Sequence, residues 1–311
     1  MHSQRYFQNT LPDYVPGYPV VIPRDQILEC AISVAEHIMR ALTPVPRSHT
    51  EKKVTGGVYT GLAGIAYALW YAQSSKSFDA NFSKKCLDHA TSYLDMTQKL
   101  FSANADTLSQ AALMVGDLGV QLVYAELWRY QRPVESEAAI RRVAATQRIL
   151  SPLNFHRYGS DEYFVGRAGY LAAIQWVRKH FQIEIISEDA IKEICFNMIT
   201  SGDNYAKEQK SQWPLLYAYY GEQYLGAAHG VCSIIQMLLG EKCILLNQDW
   251  CNRVKRTLDC LLSIQSPNGN FEPTVAEVIS RRSSQSELVH WCHGAPGKIS
   301  KNLFANFANL M

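Results

Sequence analysis

The sequence predicts an all-α protein built from repeated helical hairpins. Apolar residues recur at intervals of three and four over much of the 311 residues, and the alternation of a strand is not sustained anywhere. A short glycine motif also returns five times at hairpin spacing.

The elements follow in chain order. Residues 1–26 hold four of the twelve prolines, which lack an N–H and fix φ, so an extended arm is expected there. A helix is predicted over 27–42, where Ile27, Ala31, Val34, Ala35, Ile38, Met39 and Leu42 share one face and His37 and Arg40 the other. The same period predicts helices over 61–72, 108–130, 138–150, 169–180, 189–200, 228–239 and 250–264.

The repeat reads Gly61-Leu-Ala-Gly64, Gly116-Asp-Leu-Gly119, Gly166-Arg-Ala-Gly169, Gly230-Val-Cys-Ser233 and Gly294-Ala-Pro-Gly297. Its first glycines are 55, 50, 64 and 64 residues apart, room for a helix, a connection, a second helix and a return loop. Each glycine is expected at an equivalent helix start, where it permits close backbone approach and leaves N–H groups free for packing or a ligand. Taken singly, any one such pair serves close helix packing alone.

Composition narrows the function. A 47% hydrophobic content suffices for a sizeable core, and 30 basic against 28 acidic residues argue against nucleic acid as partner. The first 26 residues carry no apolar signal segment, and no run of about 18 apolar residues follows, so neither secretion nor membrane spanning is expected. Eight cysteines, at 30, 86, 195, 232, 243, 251, 260 and 292, form no CxxC pair and read as reduced thiols of a cytoplasmic protein, or one peripheral at the plasma membrane.

Two of the five turns hold more than glycine: Tyr219-Tyr-Gly-Glu-Gln-Tyr-Leu-Gly-Ala-Ala-His-Gly230 and Leu288-Val-His-Trp-Cys-His-Gly-Ala-Pro-Gly297. With Gly56-Gly-Val-Tyr-Thr-Gly-Leu-Ala-Gly64 and Ser160-Asp-Glu-Tyr-Phe-Val-Gly-Arg-Ala-Gly169, they closely resemble the LanC-like proteins, eukaryotic relatives of the bacterial lanthionine cyclases. The resemblance runs from Arg5 to Gly297, and the third animal branch of the family is nearest. It implies an α/α toroid of seven hairpins, about five of them present here. The expected organisation is an extended arm over 1–26, an incomplete toroid over 27–297 and a divergent tail over 298–311.

The resemblance also implies chemistry: addition of a thiol, glutathione's or a peptide's, to dehydroalanine or dehydrobutyrine. In the family a central zinc ion is held by the cysteine of WCHG, here Cys292, and a Cys-His pair from the next repeat. After Gly297 the chain reads Lys-Ile-Ser-Lys-Asn-Leu-Phe-Ala-Asn-Phe-Ala-Asn-Leu-Met, so two of three ligands are missing and a C-terminally truncated form with impaired activity is expected. His290 and His293 stand near enough in sequence to substitute as ligands, although the family does not use the histidine after this cysteine.

His229 matches the histidine that would protonate the enolate carbon or stabilise its charge, with a helix-capping histidine as the plainer reading. Asp161 matches the aspartate thought to work on the substrate thiol. Its neighbour Glu162 fits as well, and either could be an acidic group at a helix start. Arg5 matches an arginine directed at the carboxylates of glutathione, or is simply solvated. Tyr59, Tyr219, Tyr220 and Trp291 could line a peptide pocket or pack in the core.

Two alternatives stand beside this reading. One is a catalytically silent ring that presents glutathione or a signalling protein partner. The other is a six-hairpin glycoside-active enzyme, which needs a carboxylate pair across the cleft. In the tail, Ile299, Leu303, Phe304, Phe307 and Leu310 would share one helical face and could fold over the open edge of the ring.

Overall fold

The computed structural model describes residues 12, 15–19, 21–42, 56–101, 107–280 and 287–300. Among them every regular element is a helix, and only two isolated bridges, Tyr219 with Glu222 and Tyr224 with Thr274, have strand character. No described helix is long and apolar enough to cross a membrane.

An inner set of helices, α2 (Leu62–Gln73), α5 (Asp117–Leu127), α8 (Arg167–Phe181) and α10 (Val231–Leu239), follows the glycine turns, and the six-residue α14 (Ala295–Ser300) follows the fifth. Each of the first three packs against the next, α2 on α5, α5 on α8 and α8 on α10. Outer helices α3 (Ala80–Phe101), α6 (Pro133–Ala145), α9 (Glu188–Glu208) and α12 (Gln248–Ser263) cover them, with α3 against α2, α6 against α5, α9 against α8 and α12 against α10. Helices α5 and α10 are buried nearly all round because they are sandwiched, whereas α12 carries one apolar stripe, Cys251, Val254, Leu258 and Leu261. Two apolar clusters result, one on α8, α9, α10 and α12 and one on α2, α3 and α5.

Several boundaries differ from the sequence reading. Helix α1 spans Arg24–Ala41, starting inside the expected arm, and Ile27 and Val34 lie exposed. The register of its contact face is Ile32, Ala35, Met39 and Leu42: the last three belong to the stripe read from the sequence, and Ile32 takes the place of Ile27 and Val34. Tyr93 of α3 sets that register by donating its hydroxyl to the Leu42 carbonyl at 2.5 Å, and Lys85 by pairing with Glu36 at 3.2 Å.

Helix α3, 22 residues long, is absent from the sequence reading, although its buried face, Phe82, Cys86, Ala90, Tyr93, Leu94 and Thr97, keeps the helical period. The single helix expected over 108–130 is two, α4 (Thr107–Ala111) and α5, because residues 112–116 form a glycine turn hidden in a continuous apolar run. The stretch 138–150 divides similarly into α6, with Pro133 in its first turn, and α7 (Gln147–Leu150). Of the expected tail helix, Ile299 lies on α14 and the residues from Leu303 onward lie outside the described residues.

Helix α9 has a legible start: Ser187 Oγ accepts from the Ala190 N–H at 3.2 Å, and Glu188 and Asp189 occupy the first turn. Replacing Ser187 with alanine is expected to cost about 1 kcal/mol, read as a lower urea midpoint at unchanged slope.

Candidate active site

The glycine turns form one structural unit repeated around the inner helices. Gly61, Gly116, Gly166 and Gly230 are each the N-cap of their helix in extended backbone, and none supplies a side-chain cap. The second glycine sits against the turn that leads into its own helix. A Cβ on Gly64, Gly119, Gly169 or Gly297 would lie 1.9, 1.9, 2.3 or 1.9 Å from the carbonyl oxygen of Val58, Leu113, Tyr163 or Trp291 respectively, six residues earlier each time. That spacing explains the motif: the entering turn folds onto the first turn of the helix and leaves no room for a side chain.

Main-chain bonds join these turns to one another. The Tyr59 N–H donates to the Met114 carbonyl at 2.8 Å and the Met114 N–H to the Phe164 carbonyl at 3.1 Å. These three residues and Cys292 stand at one repeat position, two before the first glycine; His229 and His293 stand one before it. The Cys292 carbonyl lies where a Cβ on Gly226 would be, at 2.1 Å, so the fourth and fifth turns also touch. Asn270 holds the fifth turn, accepting from the Ala295 N–H at 2.9 Å and donating to the Leu288 carbonyl at 3.2 Å.

The shared end of the inner helices carries the site. His229 Nδ1 meets Glu162 Oε2 at 2.6 Å. Glu162 is almost fully buried, and its carboxylate also accepts from the Phe164 N–H at 2.9 Å and from the Val165 N–H. A carboxylate that accepts two main-chain N–H groups is an acceptor toward the imidazole as well, so Nδ1 donates and the lone pair of the neutral ring falls on Nε2. Tyr219 stacks on the imidazole at 4.9 Å, Phe164 tilts against it at 4.7 Å, and Tyr224 stands 5.7 Å from both His229 and His293. Trp291 and Tyr59 flank Phe164 at 6.3 and 4.9 Å. Burial pushes the Tyr219 phenol above its usual range, with Glu162 adding to the effect.

Asp161 takes a different position. Its carboxylate pairs with Arg167 Nη1 at 2.6 Å, and both side chains are buried. The same guanidinium donates to the Leu150 and Leu153 carbonyls at 3.0 and 2.8 Å and to that of Pro152. Burial pushes the Asp161 carboxyl above the usual carboxylate range, against the pull of Arg167 and the Ser201 hydroxyl. The two neighbouring acids therefore have different partners, Asp161 the Arg167 guanidinium and Glu162 the imidazole, which does not make the facing pair a glycosidase requires.

A cavity of about 580 Å3 opens beside the dyad between residues 153–162, α9 and the turn at 217–221. Glu162 and His229 are part of its wall, with Asn154, Arg157, Asn204 and Tyr205.

Cys292 is a half-buried free thiol. Among the described residues no group of three or more His, Cys, Asp or Glu side chains is placed to hold a metal ion. One thiolate does not supply the three or four protein ligands zinc takes, so the described residues do not by themselves fit a zinc ion. Arg5 lies outside the described residues.

Comparison with known proteins agrees with this architecture. The sequence pattern of the lanthionine synthetase C-like protein family matches residues 53–301. The chain belongs to the LanC-like family. It is 31% identical over 313 residues to the glutathione S-transferase LANCL1 of Danio rerio, covering 96% of this chain and 71% of that protein. Its fold is similar to that of nisin cyclase, with a TM-score of 0.57 at 15% identity over 92% of this chain and 71% of that one. The fold is accordingly the all-α helical toroid of that cyclase, represented among the described residues by five inner helices and the four outer ones that cover them.

Of the features of this LanC-like site, which of the two acids meets His229 was not readable from the sequence. The available signal was Arg167, an arginine inside a Gly-x-x-Gly turn that calls for a buried counter-charge. The stacking of Tyr219 on His229 depends on the turn at 217–224, where Tyr220 and Gly221 both have positive φ (52° and 81°).

Proposed function

We propose that this LanC-like ring adds a thiol, glutathione's or a peptide's, to dehydroalanine or dehydrobutyrine, with His229 as the proton carrier and Glu162 as its orienting partner. The observation that carries this is the 2.6 Å contact between His229 Nδ1 and a Glu162 carboxylate already held by two main-chain N–H groups. The thiol proton passes to Nε2, the sulfur bonds to the β-carbon, and the double-bond electrons move toward the carbonyl as an enolate. Nε2 then returns the proton to the α-carbon, which restores the neutral imidazole. Glu162 holds the ring orientation and balances its transient charge, the part a carboxylate plays behind a catalytic imidazole in other enzymes. The printed name of the Danio rerio relative, a glutathione S-transferase, supports glutathione as the thiol.

In the family zinc supplies thiol activation, and Cys292 would be this chain's contribution to such a site. The residues described do not complete it. A second reading is a ring that holds glutathione, the thiol in the printed name of the Danio rerio relative, or a signalling partner without chemistry.

One assay separates the two: incubate the chain with glutathione and a dehydroalanine-containing peptide, follow the adduct by mass, and measure glutathione binding in parallel. The catalytic reading expects adduct formation that falls about a hundredfold in His229→Asn, while binding is retained. Binding without adduct in the unmodified chain would support the silent ring, and an undiminished rate in the variant would remove His229 from the mechanism.

A further inference from the structure

The cavity beside the dyad carries two charges that the proton chemistry does not use. Four charged side chains line it, Arg157, Asp161, Glu162 and Glu208. Asp161 is taken by Arg167, and Glu162 by His229. Arg157, from the loop at 153–162, and Glu208, the last residue of α9, are exposed and form no ion pair among the described residues.

Arg157 is held at the cavity by its neighbours. Its guanidinium lies over the Tyr158 ring at 4.3 Å, and that ring stacks on Tyr220 at 4.1 Å with 12° between the planes. The Tyr220 N–H donates to the Tyr158 carbonyl at 2.8 Å, which ties the loop to the turn at 217–221. A guanidinium resting on an aromatic face keeps its N–H edge available to a carboxylate, and part of the ordering that binding requires is already done.

We infer that Arg157 and Glu208 receive the free amino-acid end of the thiol substrate, Arg157 the carboxylate and Glu208 the ammonium of glutathione's γ-glutamyl residue. The inference rests on the reading of glutathione as the thiol of this site.

The charges choose between the two reactants. A dehydroalanine or dehydrobutyrine inside a peptide has neither a free amine nor a free carboxylate, whereas the γ-glutamyl end carries both on one carbon. One unpaired cation and one unpaired anion in the same wall match that end group. Asn204, one helical turn before Glu208, also lines the cavity and adds a carboxamide that donates and accepts. The size agrees: a rounded cavity of 580 Å3 is about 10 Å across, the reach of about three extended residues. A tripeptide anchored at Arg157 and Glu208 therefore brings its thiol within reach of His229, which stands in the same wall.

The test separates binding from chemistry with S-methylglutathione, which keeps both ends of glutathione and has no thiol. Calorimetric titration of the folded chain is expected to show affinity about tenfold weaker in Arg157→Gln and about fivefold weaker in Glu208→Gln, with the parent's Tm in both because the side chains are exposed. Acetylating the γ-glutamyl amine should weaken binding to the parent and to Arg157→Gln alike, and make little further difference in Glu208→Gln. In the dehydroalanine assay the Arg157→Gln effect should fall on KM for glutathione rather than on kcat. Undiminished affinity in Arg157→Gln, equal affinity for the acetylated ligand, or no binding of S-methylglutathione to the parent would overturn the inference. A KM equal to the parent's in Arg157→Gln would do the same and leave the addition chemistry in place. Binding as expected with no adduct formed would remove catalysis alone and leave the amino-acid end at Arg157 and Glu208.

Discussion

Replacing Asp161 with alanine is expected to lower the stability of the protein by about 3–5 kcal/mol, one of the largest single-residue effects in the chain. Arg167 has no exposure to solvent, and its guanidinium is held by one carboxylate and three main-chain carbonyls. The carbonyls are neutral, so the alanine variant leaves a full positive charge in the interior with dipoles as its only neighbours. The pair need not be a net source of stability, since well-packed apolar residues often match a buried ion pair; the cost arises from removing one member. Asp161→Asn should lose less, because the amide oxygen still accepts from Nη1. A urea titration of both variants checks the order, and equal midpoints for Asp161→Ala and the parent would mean that Arg167 reaches solvent. Because the pair lies next to Glu162 in the chain, Asp161→Ala should also lower any activity through misplacement of the dyad, and Asp161→Asn should restore it. A residue acting on the substrate thiol would not be rescued by asparagine.

The second large effect comes from a substitution that ordinarily stabilises. Alanine in place of glycine within a helix gains about 1 kcal/mol. At Gly119 the added Cβ would stand 1.9 Å from the Leu113 carbonyl oxygen and 2.8 Å from a Val58 methyl. The first of these is main chain, held in a turn whose Met114 is bonded on both sides, to Tyr59 and to Phe164. Neither the helix nor the turn can retreat without breaking that ladder, so Gly119→Ala is expected to cost about 3 kcal/mol. Helix α10 provides the control: the equivalent position there is Ser233, which is fully buried, carries a Cβ and donates its hydroxyl to the Gly230 carbonyl at 3.2 Å. Ser233→Ala should therefore be far milder than Gly119→Ala. Thermal unfolding of the two variants side by side decides the matter, and a raised Tm for Gly119→Ala would show that the glycine serves only chain flexibility.

The glycine repeat and its helix starts were legible in the sequence. The five glycine motifs predicted equivalent helix starts, and the described turns place Gly61, Gly116, Gly166 and Gly230 as N-caps in closely similar extended backbone. They were legible because glycine is used where a backbone carbonyl occupies the place of a side chain, a requirement no other residue meets and so one visible in sequence. Where that requirement is relaxed, as at Ser233, the motif degrades and only its spacing reveals it. Helix α3 was missed although Phe82, Tyr93 and Leu94 on its buried face mark the period; the small or polar residues that share the face, Cys86, Ala90 and Thr97, dilute it.

The tertiary structure decided what each acid does. Asp161 and Glu162 are adjacent and chemically alike, and nothing local separates them. Arg167, the first residue of α8, captures one carboxylate, and His229, 67 residues beyond Glu162 in sequence, meets the other. Backbone requirements are local and leave a mark in the residue that satisfies them. Pairings between side chains are settled by packing across the ring, after the local choices have been made.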